Sequence, residues 1–413
     1  MILNNFRKWT IGLISDIAAI WANEMKMTVK DEGVLIFFIL APLLYPMLYS
    51  WIYNNEVVRD VPVAVVDNSH SFHSREFLRM CDASPDVKVA YHCNNIEEAR
   101  ELVGRQVVHG ILYFPRDFAT NLNRGDQTSV GVYCDMSLML TYKAIYQTAQ
   151  SVSTKINSNI QISRSKDYTN RDDEITAKPL DFEEVEMFNP TGGYGNSILP
   201  GVLMIVIQQT LLLGIGLAAG TSRERNHNHR LVPMDKHYSG AYRIVLGKAL
   251  CYFMIYAVVS AYLSLGVLKM FHFTTLATPD TLLALLVPYN LACIFFGMTI
   301  SCLIRYRENV MLFVVFMSLI FLFMTGISWP ASEIPNFWES ISWVFPSTFG
   351  VKGFLKISSM GATISEIRTE YIVLWAQAFV YFVLTCIVYQ QQIYLAQKQK
   401  KAEELKLASE EES

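Results

Sequence analysis

The chain has 413 residues, of which 52% are hydrophobic, 13% aromatic and only 17% charged, an apolar balance for a soluble protein of this length. A net charge of -3, with the basic residues in short blocks, excludes a nucleic-acid-binding surface. Seven cysteines, including Cys81, Cys93 and Cys134 in one polar region, lack the spacing of a disulfide framework or zinc site, leaving free thiols or a single Cys81–Cys93 bridge. The composition is that of an integral membrane protein.

Residues 1–33 set Ile11, Ile14, Ile17, Ile20, Trp21 and Met25 among Lys8, Asp16, Glu24, Lys26 and Lys30. This pattern predicts a cytoplasmic amphipathic lead-in helix that lies on the bilayer or also contacts a partner. Residues 34–53 carry no charge over about 20 positions, which matches one bilayer crossing. Pro42 and Pro46 inside that span predict a kink packed against protein, because a neighbour must satisfy the freed carbonyls.

The composition then changes, and residues 54–195 read as an inserted extracytoplasmic domain. Short β-rich runs (VPVAVVD from Val61, VKVAYHC from Val87, VHGILYF from Val108, SVGVYCD from Ser129) alternate with helical ones, the pattern of an α/β domain with some parallel pairing. A longer helical run follows from Leu138 to about Ser163. Asp67, Asp117, Asp135, His70, His73, His92 and His109 are scattered through the domain. They form no nucleophile elbow, paired-histidine or phosphate-binding signature, and read as a solvated surface.

Five further spans are expected within 196–393, near residues 198–220, 244–270, 281–302, 310–328 and 371–389. Between the first two of these lies loop 221–243, in a basic stretch with Arg223, Arg225, Arg230, Lys236, Arg243 and Lys248 against only Glu224 and Asp235. Lys and Arg beside spans resist translocation, so this loop belongs in the cytoplasm. Residues 329–360, rich in Pro, Trp and Phe, read as an outer re-entrant or interfacial hairpin. The tail 394–413 ends the chain inside. The predicted fold is an α-helical membrane protein: six transmembrane helices, an inserted extracytoplasmic α/β domain, an outer re-entrant helical hairpin, and both termini in the cytoplasm.

Gln208, Gln209, Thr210, Asn290 and Thr325 are the polar groups within or beside the spans, candidates for inter-helix contacts or for lining a transport pathway. No phosphate-binding G-x-x-x-x-G-K-[ST] occurs: between Gly240 and Gly247-Lys248 there are six residues, and Ala249 follows. No ionisable group is expected deep in a span, which speaks against a proton or ion relay. Transport work would therefore draw its energy from a separate subunit.

Several local features occur in a telling order: Asn189-Pro190 and Pro200-Gly201 entering the second span, Arg223-Glu224-Arg225 after it, and Gly247-Lys248 entering the third. Gly326-Ile327-Ser328-Trp329-Pro330, with Pro335 and Pro346, follows the fifth. In these features and in layout nearly the whole chain resembles the ABC-2 type permeases, the membrane subunits of ABC exporters. That resemblance implies a coupling helix in the basic loop that docks on an ABC ATPase (nucleotide-binding) subunit through Arg223, Glu224, Arg225, Asn228, His229 and Arg230. It further implies a homodimer, or a heterodimer with a sibling permease, in the cell (inner) membrane. This chain would bind no cofactor, ATP and Mg belonging to the partner. Drugs, lipids or other amphiphiles are the implied substrates, and a periplasmic adaptor with an outer-membrane channel would continue the path in a two-membrane envelope.

One departure stands out. Asn228-His229 replaces the Gly-Thr usual after the Arg-Glu-Arg run, and Asn can take the same left-handed conformation as Gly. The basic loop could also serve only to fix topology. A different class of function, a membrane-anchored binding or scaffold protein of an envelope complex, has the same layout and would lack a co-purifying ATPase.

Overall fold

Among the described residues, six helices are long and apolar enough to cross a membrane. They are span 1 (Glu32–Tyr53), span 2 (Tyr194–Arg225), span 3 (Ala241–Met270), span 4 (Pro279–Leu303), span 5 (Arg307–Met324) and span 6, the apolar part (Arg368–Leu395) of a helix continuing to Glu411. This is a computed structural model describing residues 2–54, 57–164, 175, 187–189, 193–226, 231–232, 240–304 and 306–411. The chain divides into two units, Met1–Asn54 with Phe188–Ser413 and Asn55–Met187.

Span 2 is the axis of the helical unit: 83% of its most apolar window is buried, against 17% for span 5. Its neighbours are span 4, span 5, span 1 and the helix Pro346–Met360. The helix also runs past its predicted end at Gly220 and includes Thr221–Arg225. No glycine or proline breaks it there, and Thr221, Ser222 and Arg223 all find buried partners. The predicted loop therefore begins only after Arg225.

Span 1 shows how proline is accommodated. Asp31 caps its first turn by accepting from the amides of Gly33 at 3.0 Å and Val34 at 3.2 Å. A π-helical turn, Ile36–Leu40, then widens the helix just before Pro42, where the proline ring would otherwise press on the Phe38 carbonyl. Tyr262 of span 3 makes a neighbouring contact, its hydroxyl donating to the Leu43 carbonyl at 3.3 Å, one residue past the Pro42 carbonyl that Pro46 frees.

The lead-in helix, Ile2–Lys30, does more than lie on a bilayer. It packs along span 3, with Ile20, Glu24 and Thr28 buried. The backbones approach closely at Gly247, where a Cβ would stand 2.8 Å from Ile20 and 3.2 Å from the Ile17 carbonyl.

The second unit is built on one four-stranded sheet in the order β2-β1-β3-β4. Here β1 is Val61–Asp67, β2 Val87–His92, β3 Gly110–Phe114 and β4 Gly131–Cys134. β1 pairs in parallel with β2 and β3, and β4 closes one edge antiparallel to β3, as the alternating sequence predicts. Alternate β1 residues face two cores. Val61, Val63 and Val65 lie with Phe77, Cys81 and the helix Met139–Arg164, whereas Ala64 and Val66 lie with Cys93 and Ala99. Cys81 and Cys93 thus occupy different cores, and both thiols are free. Burial, then the neighbouring Asp82, pushes the Cys81 thiol up to about 12.

Between spans 5 and 6 lie two helices, Asn336–Ser342 and Pro346–Met360, joined by the turn Trp343–Phe345. The longer one starts beside Gln208 inside the bundle and ends where the Ser358 carbonyl accepts from Leu276 N, next to the start of span 4. It therefore covers only part of the bundle's length. At Gly350 it meets the Tyr289 ring of span 4 so closely that a Cβ would collide with it.

Candidate functional site

The end of the helical unit where span 1 finishes at Tyr53 and span 2 starts at Tyr194 is here the proximal end. The distal end gathers Asp31, Arg225, Ala241, Leu303 and Arg307. Two groups of polar side chains in the helical unit differ in their chemistry.

At the distal end the contacts are ionic. The lead-in helix and the residue after it supply acids, and spans 3 and 5 supply bases. Asp16 pairs with Arg243 at 2.5 Å, Glu24 with Lys248 at 2.8 Å, and Asp31 with Arg307 at 2.9 Å. Glu24 also accepts from the Tyr252 hydroxyl. Lys248 and Glu24 are 4% and 2% exposed, so each charge is tolerable only because the other is there. Lys248 lies seven residues into the span 3 helix, near its start, and its counterion comes from the lead-in helix.

Asp31 is held by several groups together. Thr221 donates to it at 2.5 Å, and Arg307 reaches both Asp31 and the Thr221 hydroxyl, the latter at 3.2 Å. Burial raises the Asp31 carboxyl, but the bonds from Thr221 and Val34 N–H and the Arg307 charge outweigh it, leaving it below the usual carboxylate range.

The predicted coupling residues separate at this end. Arg223, expected to face a partner, is 6% exposed. Its guanidinium donates to the Cys302 carbonyl at 3.0 Å and to the Ile304 carbonyl. These are carbonyls that the end of span 4 leaves without intrahelical donors, and a cation there also meets the negative end of the helix dipole. Glu224 and Arg225, the next two residues, are exposed. Asn228, His229 and Arg230 lie outside the described residues.

In the middle of the unit the contacts are neutral. Gln208 is 1% exposed, and its Oε1 accepts from Ser347 N at 2.6 Å and from the Cys293 thiol at 3.7 Å. Asn290 donates from Nδ2 to Ser260 Oγ at 2.9 Å. The hydroxyl of Thr210 returns to the Val206 carbonyl at 2.7 Å and that of Thr325 to Leu322 at 2.7 Å. Gln209 is half-buried. Gln208 and Asn290 thus make inter-helix contacts, while Thr210 and Thr325 bond within their own helices.

A family profile described as ABC-2 family transporter protein matches residues 33–387. The chain belongs to that family. It is also similar to the linearmycin resistance permease protein LnrN of Bacillus subtilis (strain 168), being 21% identical over 367 residues that cover 85% of this chain and 93% of that protein. The protein is accordingly an ABC-2 permease, a multi-pass membrane subunit of an ABC transporter, and membership implies partnership with an ABC ATPase subunit.

The sequence reading of this ABC-2 permease missed the acids of the lead-in helix. A signal was present: Asp16, Glu24 and Asp31 are spaced eight and seven residues apart, about two helical turns each, which sets them along one face. Their basic partners are far away in sequence, Glu24 and Lys248 being 224 residues apart.

Proposed function

We propose that this ABC-2 permease exports an amphiphilic substrate from the cytoplasm or inner leaflet, driven by ATP hydrolysed in a separate subunit that docks at the distal end. The observation that carries the proposal is the contrast along the last turn of span 2. Glu224 and Arg225 are exposed, while the adjoining Thr221 and Arg223 are tied to Asp31, to Arg307 and to the end of span 4. A push on the exposed pair would reach spans 1, 4 and 5 through bonds that are already made. Thr221 and Arg223 then act inside the chain, whereas Glu224, Arg225 and the segment with Asn228, His229 and Arg230 act on the partner.

In this reading the distal end and both termini are cytoplasmic, residues 55–187 are extracytoplasmic, and the permease sits in the cell membrane. ATP and Mg bind the partner. ATP binding brings two ATPases together and biases two permease copies, identical or sibling, from an inward-open to an outward-open arrangement. Apolar faces of span 1 (Leu44, Leu48, Trp51) and span 5 (Leu312, Phe316, Leu319) are exposed on the single chain and suit pairing of two copies. An efflux role is supported by the similarity to a linearmycin resistance permease. In a two-membrane envelope, a periplasmic adaptor and outer-membrane channel would receive the product.

Affinity purification from native membranes tests the reading. An ATP-binding subunit should co-purify, and its hydrolysis should rise when the permease is present. A stable complex lacking any ATPase would overturn this function and favour a scaffold.

A further inference from the structure

The turn Trp343–Phe345 and the start of helix Pro346–Met360 sit at an unusual depth. Gln208, which holds Ser347 N, lies fourteen residues into span 2, about 21 Å along its axis from the proximal end. Non-helical backbone at membrane depth survives only where protein satisfies it, and here two spans do so. From span 2, Gln208 accepts the Ser347 amide. From span 6, Gln377 Nε2 donates to the Trp343 carbonyl at 2.7 Å, and the Tyr381 hydroxyl donates to the Val344 carbonyl. Phe345 at the tip packs edge-on against Phe296 of span 4 and Phe321 of span 5, with ring centroids 6.2 and 5.0 Å away.

These clamps leave further polar atoms unused. Gln208 Nε2, Ser347 Oγ, Thr348 Oγ1 and Gln377 Oε1 have no hydrogen-bond partner among the described residues, although their side chains are only 0 to 7% exposed. Buried polar groups without partners are costly and are characteristic of sites that receive a ligand. The set holds an amide donor, an amide acceptor and two hydroxyls that can do either. None of the side chains that hold the turn is charged, so a charged headgroup entering here would be desolvated without a counterion.

We propose that this turn is a gate and a neutral polar binding site: when it parts from spans 2 and 6, Gln208, Ser347, Thr348 and Gln377 take up hydroxyl or amide groups of an uncharged amphiphile in transit. The proposal rests on the permease reading and specifies its substrate class. Closed, the gate keeps its backbone satisfied through Gln208, Gln377 and Tyr381. Open, the substrate's own hydroxyls replace those bonds, so neutral polyol or polyamide amphiphiles pass more readily than cationic ones.

The test uses the full-length permease with its ATPase in nanodiscs. The thiol of Ser347→Cys is reacted with N-ethylmaleimide, and the rate is taken above that of the otherwise unchanged chain, whose Cys293 lies beside Gln208. Labelling is expected to be slow without nucleotide and several-fold faster during ATP turnover. Sub-micellar octyl glucoside should slow it, and octyltrimethylammonium should not. Gln208→Leu, which removes the clamp on Ser347, should speed labelling without ATP.

Equal rates with and without ATP while hydrolysis proceeds normally would overturn the gate and leave the permease reading standing. Equal protection by both amphiphiles would overturn the neutral site. An unchanged rate in Gln208→Leu would overturn the clamp. Absence of any permease-stimulated ATP hydrolysis would overturn the permease reading and the gate with it.

Discussion

The distal end and the Trp343–Phe345 turn both bind distant segments together with side-chain bonds, but with opposite chemistry. The distal end uses full charges in matched pairs: Asp16 with Arg243, Glu24 with Lys248, Asp31 with Arg307. The turn uses amides and a phenol: Gln208, Gln377 and Tyr381 on backbone groups. A buried ion pair resists separation because each partner would be left uncompensated, whereas a neutral hydrogen bond can be exchanged for another at small net cost. The comparison teaches a division of labour, with a charged end that moves as one piece and a neutral turn able to exchange partners.

The comparison can be broken most severely at Lys248. Lys248→Met leaves Glu24 buried without its cation and should cost about 3–5 kcal/mol of stability. The double variant with Glu24→Gln should recover most of that loss, as read from thermal unfolding in detergent. Gln208→Leu, which strands the Ser347 amide, should cost less, about 1–3 kcal/mol.

Asp31 sharpens the comparison through pH. Its folded-state carboxyl titrates below the usual value of 3.8, so its stabilisation is fully present above that value and is lost as pH falls through the folded-state value. Asp31→Asn should remove that acid-dependent part of the unfolding curve while Gln208→Leu leaves it in place. The smallest effect on stability is expected from reversing the exposed pair, Glu224→Lys with Arg225→Glu. That change should stay within about 0.5 kcal/mol, yet abolish the permease's stimulation of its ATPase.

Much of the fold was legible in the sequence, because bilayer crossings and alternating strands depend on local hydrophobicity. The six spans follow from uncharged runs of membrane length, and β1, β2 and β3 from runs such as VPVAVVD. The two polar regions were only partly legible, because their bonds join residues far apart in the chain. Arg223 looked like a surface cation beside Glu224 and Arg225; only the fold shows it turned inward onto the end of span 4. The lead-in helix looked like a membrane-surface helix because its Ile and Trp stripe fits a bilayer, and the same stripe fits span 3. Gln208 and Asn290 stood out as amides within apolar runs, but the backbone amide that Gln208 satisfies belongs to the start of a helix 139 residues away.

The central claim is that ATP-derived work enters this ABC-2 permease at the exposed last turn of span 2. A photo-crosslinking amino acid at Glu224 tests it in native membranes, with Trp338, an exposed residue of the helix Asn336–Ser342, as the comparison site. The account predicts a covalent adduct with an ATP-binding subunit from Glu224 and none from Trp338. No such adduct from Glu224, or the same adduct from Trp338 alone, would contradict it.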